Sequence, residues 1–302
     1  MARPKRCSAF DPSACNDLAQ VLNLGAGVQS TTVLLMSMEG ELPPLDHVIF
    51  ADTGWEPQAV YRHLEWLQTL TTIHVVSQGN IKEDALKFQV AGGNICGTKE
   101  EHNGERWASM PMFTQDRETL SNGMIRRQCT SEYKIRPIER FIRRTVLGLA
   151  PRQRAPKVPT IRQWYGISLD EHQRMAKNPN KWTVNYYPLI ERRMTRQHCL
   201  DWLAKRGIAA PRSACIACPF KHNSEWRNLR DGSPDEWRTP SSSTRRFASA
   251  AGCGATCSST RTGCRWISWT CRRTWTGARC CLAGWTSVRE CVECKHEATS
   301  PL

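Results

Sequence analysis

The sequence of 302 residues lacks any run of about 20 apolar residues, the length that a helix needs to cross a membrane. Residues 1–18 are polar and basic, without an apolar stretch long enough for a secretory signal peptide. We therefore expect no membrane partner and a cytoplasmic location. In that compartment cysteines stay reduced, or serve as ligands or catalytic groups, instead of forming a disulfide framework.

Acidic residues are scarce, because 28 Asp and Glu stand against 42 Lys and Arg and leave a net charge of +14. Such an excess ordinarily predicts a nucleic-acid or membrane-surface partner. Residues 238–302, however, supply half of it, and they contain 8 of the 15 cysteines but no Asp, Asn, Gln or Tyr. This stretch shows neither a helical nor an alternating apolar period. Net charge alone therefore gives little support for a nucleic-acid partner.

The genetic code offers an explanation for the composition of residues 238–302. Suppose that each codon is regrouped from the last base of one codon and the first two bases of the next. The shifted frame can then encode amphipathic, charged amino-acid segments. The last segment, from 286 to 295, permits Glu-Cys-Glu-Gly-Met-Cys-Gly-Val and then a stop. We interpret 238–302 as an out-of-frame translation after loss of one base, disordered or non-native and without a fold of its own. The alternative is a genuine Cys/Trp-rich metal or disulfide module, although the cysteine spacings fit no zinc pattern well.

Residues 19–237, which precede that stretch, alternate short apolar segments with segments of helical period. The pattern predicts strands over 19–24, 48–51, 72–76 and 159–168, and helices over 30–38, 57–70, 82–89, 131–147 and 195–206. This order predicts an α/β fold with a doubly wound parallel sheet, covered on both faces. Residues 91–126 interrupt the rhythm, and a long irregular insertion is typical of a lid or binding loop.

A glycine-rich turn joins the first strand to the first helix. Gly25 and Gly27 carry no side chain, so the backbone can approach an anion closely. Free N–H groups and the helix dipole favour negative charge at the helix start, where Ser30 and Thr31 add hydroxyl donors. No Gly-Lys-Ser/Thr follows, so the turn is not a Walker A loop. The pattern predicts a phosphate site; the alternative is a tight turn without a ligand.

A polar cluster, Asp52-Thr53-Gly54-Trp55-Glu56, directly follows the second strand. In open α/β sheets ligands bind at the carboxyl ends of the strands. Asp52 is therefore a candidate to contact ribose, adenine or a Mg²⁺ ion. The alternative is that its carboxylate caps the next helix, a common role at such a position.

Together these segments resemble the PP-loop nucleotide-binding superfamily, specifically its phosphoadenosine phosphosulfate (PAPS) reductase-like branch of the phage and actinobacterial type. That branch has Ser-x-Gly-x-x-Ser in the loop and Asp-Thr-Gly after the second strand; here Gly25 replaces the first serine, which affects one phosphate contact. Three later segments are also similar to its motifs. They are 128–137 (Cys-(x)n-Lys-x-x-Pro), 165–174 (Gly-Ile-x-x-Asp-Glu-x-x-Arg) and 215–220 (Cys-x-x-Cys-Pro) within a block over 208–237.

The resemblance implies an adenine nucleotide alpha-hydrolase-like fold that binds ATP or PAPS, with Mg²⁺. The nucleotide contacts that it implies are Gly25, Ala26, Gly27, Gln29, Ser30, Thr31, Asp52, Thr53, Gly54, Lys134, Arg136, Ser168 and Arg174. The catalytic residues that it implies are Asp52, Cys129, Asp170 and Glu171. For Asp170 and Glu171 the alternative is plain stabilisation of a helix start, where acids are favourable in any protein.

Two chemistries follow from the resemblance. Either ATP is cleaved to AMP and pyrophosphate to adenylate a substrate, or a cysteine reduces a sulfonucleotide, with a thioredoxin-like reductant or a sulfur donor as partner. The nearest alternative is an ATP-dependent sulfurtransferase or nucleic-acid-modifying enzyme with an iron–sulfur cluster. A nucleotide-binding module without turnover also remains, because the altered C-terminus has lost a cysteine motif.

Two further patterns point to ligands. Cys215-x-x-Cys218 suits zinc, a [4Fe–4S] cluster or a dithiol, with Cys129 as a third metal ligand; the alternative is a pair of buried thiols. A basic face is predicted on the helix over 131–147, either merely solvated or clamping phosphate or sulfate. It comprises Lys134, Arg136, Arg140, Arg143 and Arg144.

Overall fold

The computed structural model describes residues 18–84 and 127–238, and the backbone of 113–116, 122–124 and 255–258. Its strands are β1 Ala19–Leu24, β2 His47–Asp52, β3 Ile73–Ser77, β4 Phe113–Asp116, β5 Asn122–Met124, β6 Ile161–Tyr165, β7 Thr183–Tyr186 and β8 Ala255–Ser258. Five of them form one sheet in the order β3-β2-β1-β6-β7, and every neighbouring pair is parallel. The predicted parallel sheet is confirmed.

The helices are α1 Val28–Met38, α2 Gln58–Leu70, α3 over 130–146, α4 Pro188–Glu191, α5 Arg196–Ala204 and α6 Asn223–Gly232. Helix α3 consists of three consecutive segments, of which Thr130–Ile135 and Ile142–Val146 have π-type and Arg136–Phe141 has α-type hydrogen bonding. Where the sequence predicts that Asp170 and Glu171 open a helix, the structure has a 3₁₀ segment, Leu169–Arg174. No helix in the described parts of the chain is both long and apolar enough to span a membrane.

Side chains alternate between the two faces of the sheet and build a core on each. Leu22, Leu24 and Phe50 belong to a core that α1, α2 and α5 cover. Val21 and Ile49, one position out of step, belong to a second core that α3 covers through Ile138 and Ile142. A strand with both faces buried needs apolar residues at nearly every position, and this explains the apolar run over 48–51 in β2 and the apolar majority in β1, where Gln20 and Asn23 are the polar residues. The doubly wound arrangement is thus confirmed.

The strand order places a crevice between β1 and β6. From β1 the chain proceeds outward through β2 and β3 on one side, and β6 and β7 continue on the other. At such a reversal the loops after the two central strands diverge, and ligands bind between them. Gly25 follows β1 and Gly166 follows β6, so both residues lie at this point. A Cβ on Gly166 would lie 2.8 Å from the Ser30 nitrogen, so glycine lets α1 begin directly against the end of β6.

Strand β7 and two helices, α4 and α6, have no counterpart in the sequence prediction. Strand β7 and helix α6 are short, and neither carries a clear apolar period; burial in β7 is confined to its two ends and in α6 to Trp226. A small antiparallel sheet, β5-β4-β8, is likewise unpredicted. Its strand β8 lies within 238–302, where the sequence predicts no regular structure. The predicted helix over 82–89 begins with a turn at 81–84, and its remainder, like most of 91–126 and of 238–302, lies outside the described residues.

Candidate functional site

The glycine-rich turn is organised by its own serine. The Ser30 Oγ accepts hydrogen bonds from the backbone N–H groups of Gly25 (3.2 Å) and Gly27 (3.3 Å). Between them Ala26 is fully buried and adopts a positive φ of 51°, which few residues with a Cβ tolerate. Strained backbone of this kind persists only where surrounding structure imposes it, and it concentrates at ligand sites. The turn is therefore held in a fixed conformation at the start of α1, with the Gly25 and Gly27 N–H groups engaged by Ser30.

A second segment of the chain lies across this turn. A Cβ on Gly27 would lie 2.6 Å from the Ser213 Oγ, and a Cβ on Gly25 would lie 3.3 Å from the same atom. The sequence explains these glycines by the close approach of an anion. In the structure their bare backbone also admits Ser213, whose hydroxyl becomes part of the turn's surroundings. Nothing in the local pattern around Ser213 indicates this contact.

Polar side chains link the start of α1 to the segment after β6. Gln29 donates to the Glu171 Oε2 (3.3 Å), and Arg196 Nη1 donates to the Gln29 Oε1 (3.0 Å). Arg174 also binds the Glu171 Oε2, at 2.8 Å. The structure thus brings the predicted residues Gln29, Glu171 and Arg174 together. It adds Arg196, a cation next to the turn that sequence motifs do not reveal.

Asp170 serves the start of helix α5. Its Oδ1 accepts the backbone N–H of Arg196 (2.9 Å), the first residue of that helix. Burial raises the pKa of Asp170, but interactions with the Ser168 hydroxyl and the Arg196 backbone lower it more, and the net shift is downward. A carboxylate at a helix start is electrostatically favourable without any ligand. Asp170 therefore stabilises the start of α5, not the start of its own segment, while Ser168 is fully buried just before that segment.

Asp52 holds the turn after β2 in place. Its Oδ1 accepts the N–H of Gly54 and the hydroxyl of Tyr61, each at 2.8 Å. Burial, together with the Asp52 carboxylate, raises the pKa of Tyr61. Asp52 thus caps its own turn and anchors α2 through Tyr61, instead of capping the helix start at Gln58. Its exposure is intermediate, and it ends β2, the strand next to β1 in the sheet.

A buried carboxylate joins three of the sequence segments. Glu56 is 3% exposed, and its Oε1 accepts Lys134 Nζ (3.0 Å), the Cys215 thiol (3.4 Å) and the Thr53 hydroxyl (3.4 Å). Desolvation alone would lower the pKa of Lys134, but the Glu56 charge reverses this and raises it. Burial raises the pKa of the Cys215 thiol to about 12. The cluster Thr53–Glu56–Lys134–Cys215 therefore holds a charged lysine below the carboxyl end of β2.

The three cysteines of the predicted metal site are not gathered into a ligand cluster. Within the described residues no group of three or more His, Cys, Asp or Glu side chains could hold a metal ion. Cys215 is directed to Glu56 and Thr53, and the backbone N–H of Cys218 donates to the Cys215 carbonyl in a tight turn. The described residues therefore do not fit a closed zinc or iron–sulfur site. The Mg²⁺ prediction stays a prediction, because magnesium needs few protein ligands beside nucleotide phosphates.

The predicted basic face of α3 is divided by the structure. Lys134 points inward to Glu56, whereas Arg136, Arg140 and Arg144 are exposed. Arg140 donates to the Gln78 Oε1 (2.9 Å) just after β3, so it stays at the edge of the sheet. Only Lys134 of this set therefore reaches the clustered polar groups after β2.

Thr31 faces away from the solvent. It is fully buried, and its Oγ1 lies 3.0 Å from the His63 Nε2 on α2. His63 in turn lines an open cleft of about 570 Å³ between α2 and residues 207–211, beside Arg62 and Trp66. The structure thus places this hydroxyl in a link between two helices.

Comparison with known proteins adds little. No protein-family model matches the chain, and no curated protein matches it. Among solved structures, a phosphoadenylyl-sulfate (PAPS) reductase from Candida auris in a phosphate complex is similar over 65% of this chain and 75% of that chain, with 14% identity and a TM-score of 0.37. We base no conclusion on a likeness of that size.

Proposed function

We propose that the chain binds an adenine nucleotide by its phosphates in the crevice between β1 and β6, and that it is an enzyme resembling PAPS reductase. The observation that carries this proposal is the turn from Gly25 to Ser30. It stands at the reversal of strand order and begins an 11-residue helix. The first N–H groups of a helix have no partner within it, and the helix dipole favours an anion there.

Charges around the crevice support a phosphate ligand. Arg196 is held beside the turn through Gln29, and an arginine can bind phosphate oxygens bidentately. Lys134 remains protonated next to Glu56, at the neighbouring strand end. Gln29, Arg174 and Glu171 form a polar rim that would orient the rest of the nucleotide. Residues Gly25, Ala26, Gly27 and Ser30 would bind phosphate, and Asp52, Thr53 and Gly54 would line the side toward β2.

The direct test is a calorimetric titration with ATP and with PAPS. We expect micromolar binding of at least one of them, and a loss of about tenfold or more when Arg196→Gln removes a charge-assisted contact, typically worth ~1.5–3 kcal/mol. Lys205→Gln is the matched control, since it removes one positive charge from the other end of α5. Absence of nucleotide binding, or equal affinity of the Arg196 variant and the control, would contradict the proposal.

The chemistry after binding is separated by its products. Pyrophosphate release from ATP, with AMP as the other product, would identify the adenylating reaction. Sulfite release from PAPS in the presence of a dithiol would identify sulfonucleotide reduction. Nucleotide binding with neither product would identify a binding module, the outcome expected if residues lost from the altered C-terminus are needed for turnover.

A further inference from the structure

Arginines on α3 and on residues 147–157, the connector that follows it, form a positively charged surface that the proposed function does not use. Residues 136–157 contain seven Lys and Arg, and Glu139 is the one acidic residue among them. The carboxylate of Glu139 is itself engaged, because its Oε1 accepts the Asn180 Nδ2 at 2.6 Å. The positive charge of this stretch is therefore almost uncompensated within the stretch.

The exposed arginines of α3 form a line. Tyr133, Pro137, Ile138 and Ile142 are the buried residues of this helix, so the opposite side faces water. Arg136, Arg140 and Arg144 are all exposed at successive intervals of four residues, which places them on one side. At about 1.5 Å per residue they span roughly 12 Å. Arg140 reaches Gln78 just after β3, so the line passes the carboxyl edge of the sheet, the edge on which the crevice also opens.

The connector extends this line. The Arg143 guanidinium donates to the Gln153 carbonyl (2.7 Å), and the Leu149 N–H donates to the Arg143 carbonyl (2.9 Å). Ala155 packs against the core that α3 covers. The connector is thereby folded onto the end of the helix, and it carries exposed Arg152 and Arg154 on either side of Gln153. We call Arg136, Arg140, Arg143, Arg144, Arg152 and Arg154 the arginine surface.

Ordinary helix stabilisation explains only part of this set. Cations near a helix C-terminus interact favourably with the dipole, which accounts for Arg143 and Arg144 in the last turn. It does not account for Arg136 and Arg140 in the middle of α3, or for the connector arginines. Several guanidinium groups spread over more than 10 Å also exceed what one small anion needs.

We propose that the arginine surface binds the phosphate backbone of a DNA duplex. A duplex presents about one negative charge per 1.7 Å of its axis, so a row of arginines can meet several phosphates at once. Guanidinium groups suit phosphate because they bind it bidentately. The row passes the carboxyl edge of the sheet at β3, and the nucleotide crevice opens on the same edge between β1 and β6. The proposal does not depend on nucleotide binding.

The test measures binding of a fluorescent 20-base-pair DNA duplex by anisotropy over a range of salt concentrations, with the full chain. The variant is Arg140→Gln/Arg144→Gln/Arg154→Gln. Its matched control is Lys177→Gln/Arg193→Gln/Lys205→Gln, which removes the same charge from exposed positions elsewhere. We expect the first variant to bind about tenfold or more weakly at 0.1 M salt, with a salt slope smaller by about 2 to 3, since each phosphate contact contributes about 0.9. The control should bind within about twofold of the unaltered chain.

Three results would overturn the proposal. They are an equal loss in both variants, which would assign binding to overall charge; no loss in either, which would assign it to other residues such as 238–302; and binding of phosphatidylserine vesicles without binding of DNA. A parallel titration with ATP separates this proposal from the proposed function. We expect the arginine-surface variant to keep the ATP affinity of the unaltered chain. If neither the unaltered chain nor either variant binds ATP, the proposed nucleotide site is contradicted, but the proposed DNA surface is not.

Discussion

At the scale of single residues, Ser213 packs directly against the bare backbone of Gly27. Ser213 approaches because two side chains are missing opposite it, and the Ser213 backbone nitrogen would itself lie 3.1 Å from a Cβ on Gly27. The turn from Gly25 to Ser30 and the segment leading to Cys215 therefore fit against each other. Any side chain at Gly27 must push that segment away before it can affect an anion.

We predict that Gly27→Ala lowers the free energy of unfolding by roughly 1–3 kcal/mol, the usual cost of inserting atoms into a packed site. Adding Ser213→Gly should recover part of this loss, because it removes the nearest obstructing atom, the Oγ at 2.6 Å. Urea denaturation measures both effects. Gly232→Ala is the control, since nothing lies within 4 Å of a Cβ at that position. An unchanged stability for Gly27→Ala would show that the Ser213 contact is not formed.

A residue's role could be predicted from the sequence where its partners lie close to it along the chain. The turn Gly25–Ser30 and the cluster after β2 are readable because their chemistry lies within a few consecutive residues. Arg196 and Ser213 are not, because each reaches the turn from more than 150 positions away through tertiary packing. Thr31 is readable as part of a phosphate motif, yet its hydroxyl binds His63, a partner that only the packing of α2 on α1 determines.

At the scale of elements, the hydrogen bond between Thr31 and His63 joins α1 to α2. Burial lowers the pKa of His63 below its usual 6.5. Between the folded and the unfolded pKa, the unfolded chain therefore binds more protons at this residue than the folded chain does. The contribution of neutral His63 to stability is fully present above pH 6.5 and is lost as the pH falls through the lower, folded-state pKa.

We predict that His63→Gln flattens the dependence of the melting temperature on pH below 6.5, because it removes a group that must take up a proton on unfolding. At pH 8 the variant should lose stability only by the altered contact with Thr31, about 1 kcal/mol. His172→Gln is the control, since that side chain is exposed on the 3₁₀ segment. If both histidine variants show the same pH profile as the unaltered chain, the buried link does not titrate.

Elements with two buried faces were the easiest to predict. Apolar residues fill most positions of β1 and β2, and α2 has a clear apolar period. The predicted bounds of these elements therefore agree with the structure within a few residues. Strand β7 lies at the edge of the sheet and buries little, so its sequence carries a weak pattern. Lys134 lies four residues before the buried Ile138 and therefore shares the inward side of α3, whereas Arg136 and Arg140 lie on the opposite side and stay outside.

At the scale of the whole molecule, the five-stranded sheet is complete without the C-terminal stretch. Its strands lie between Ala19 and Tyr186, and the residues of its two cores lie between Ala19 and Ala210. The one described element beyond residue 238, strand β8, pairs with β4 in the separate three-stranded sheet. The interpretation of 238–302 as an out-of-frame translation stays a prediction, because most of those residues lie outside the described part of the chain.

We predict that a chain ending at Arg238 keeps the melting temperature and the nucleotide affinity of the full chain within error. Residues 238–302 lack a periodic apolar face, so they cannot bury enough surface to offset the entropy of ordering about 65 residues. Limited proteolysis of the full chain should accordingly remove this stretch first and leave a fragment close to residues 18–238. The eight cysteines of the stretch should also make the full chain form mixed disulfides in air, which the shortened chain should not do.

Restoring one base after the Trp237 codon should give a less basic protein that ends in Cys-Gly-Val and expresses more solubly. A stretch that resists protease as firmly as the sheet, a cooperative loss of stability on truncation, or a gene without a readable second frame would each identify a genuine domain instead.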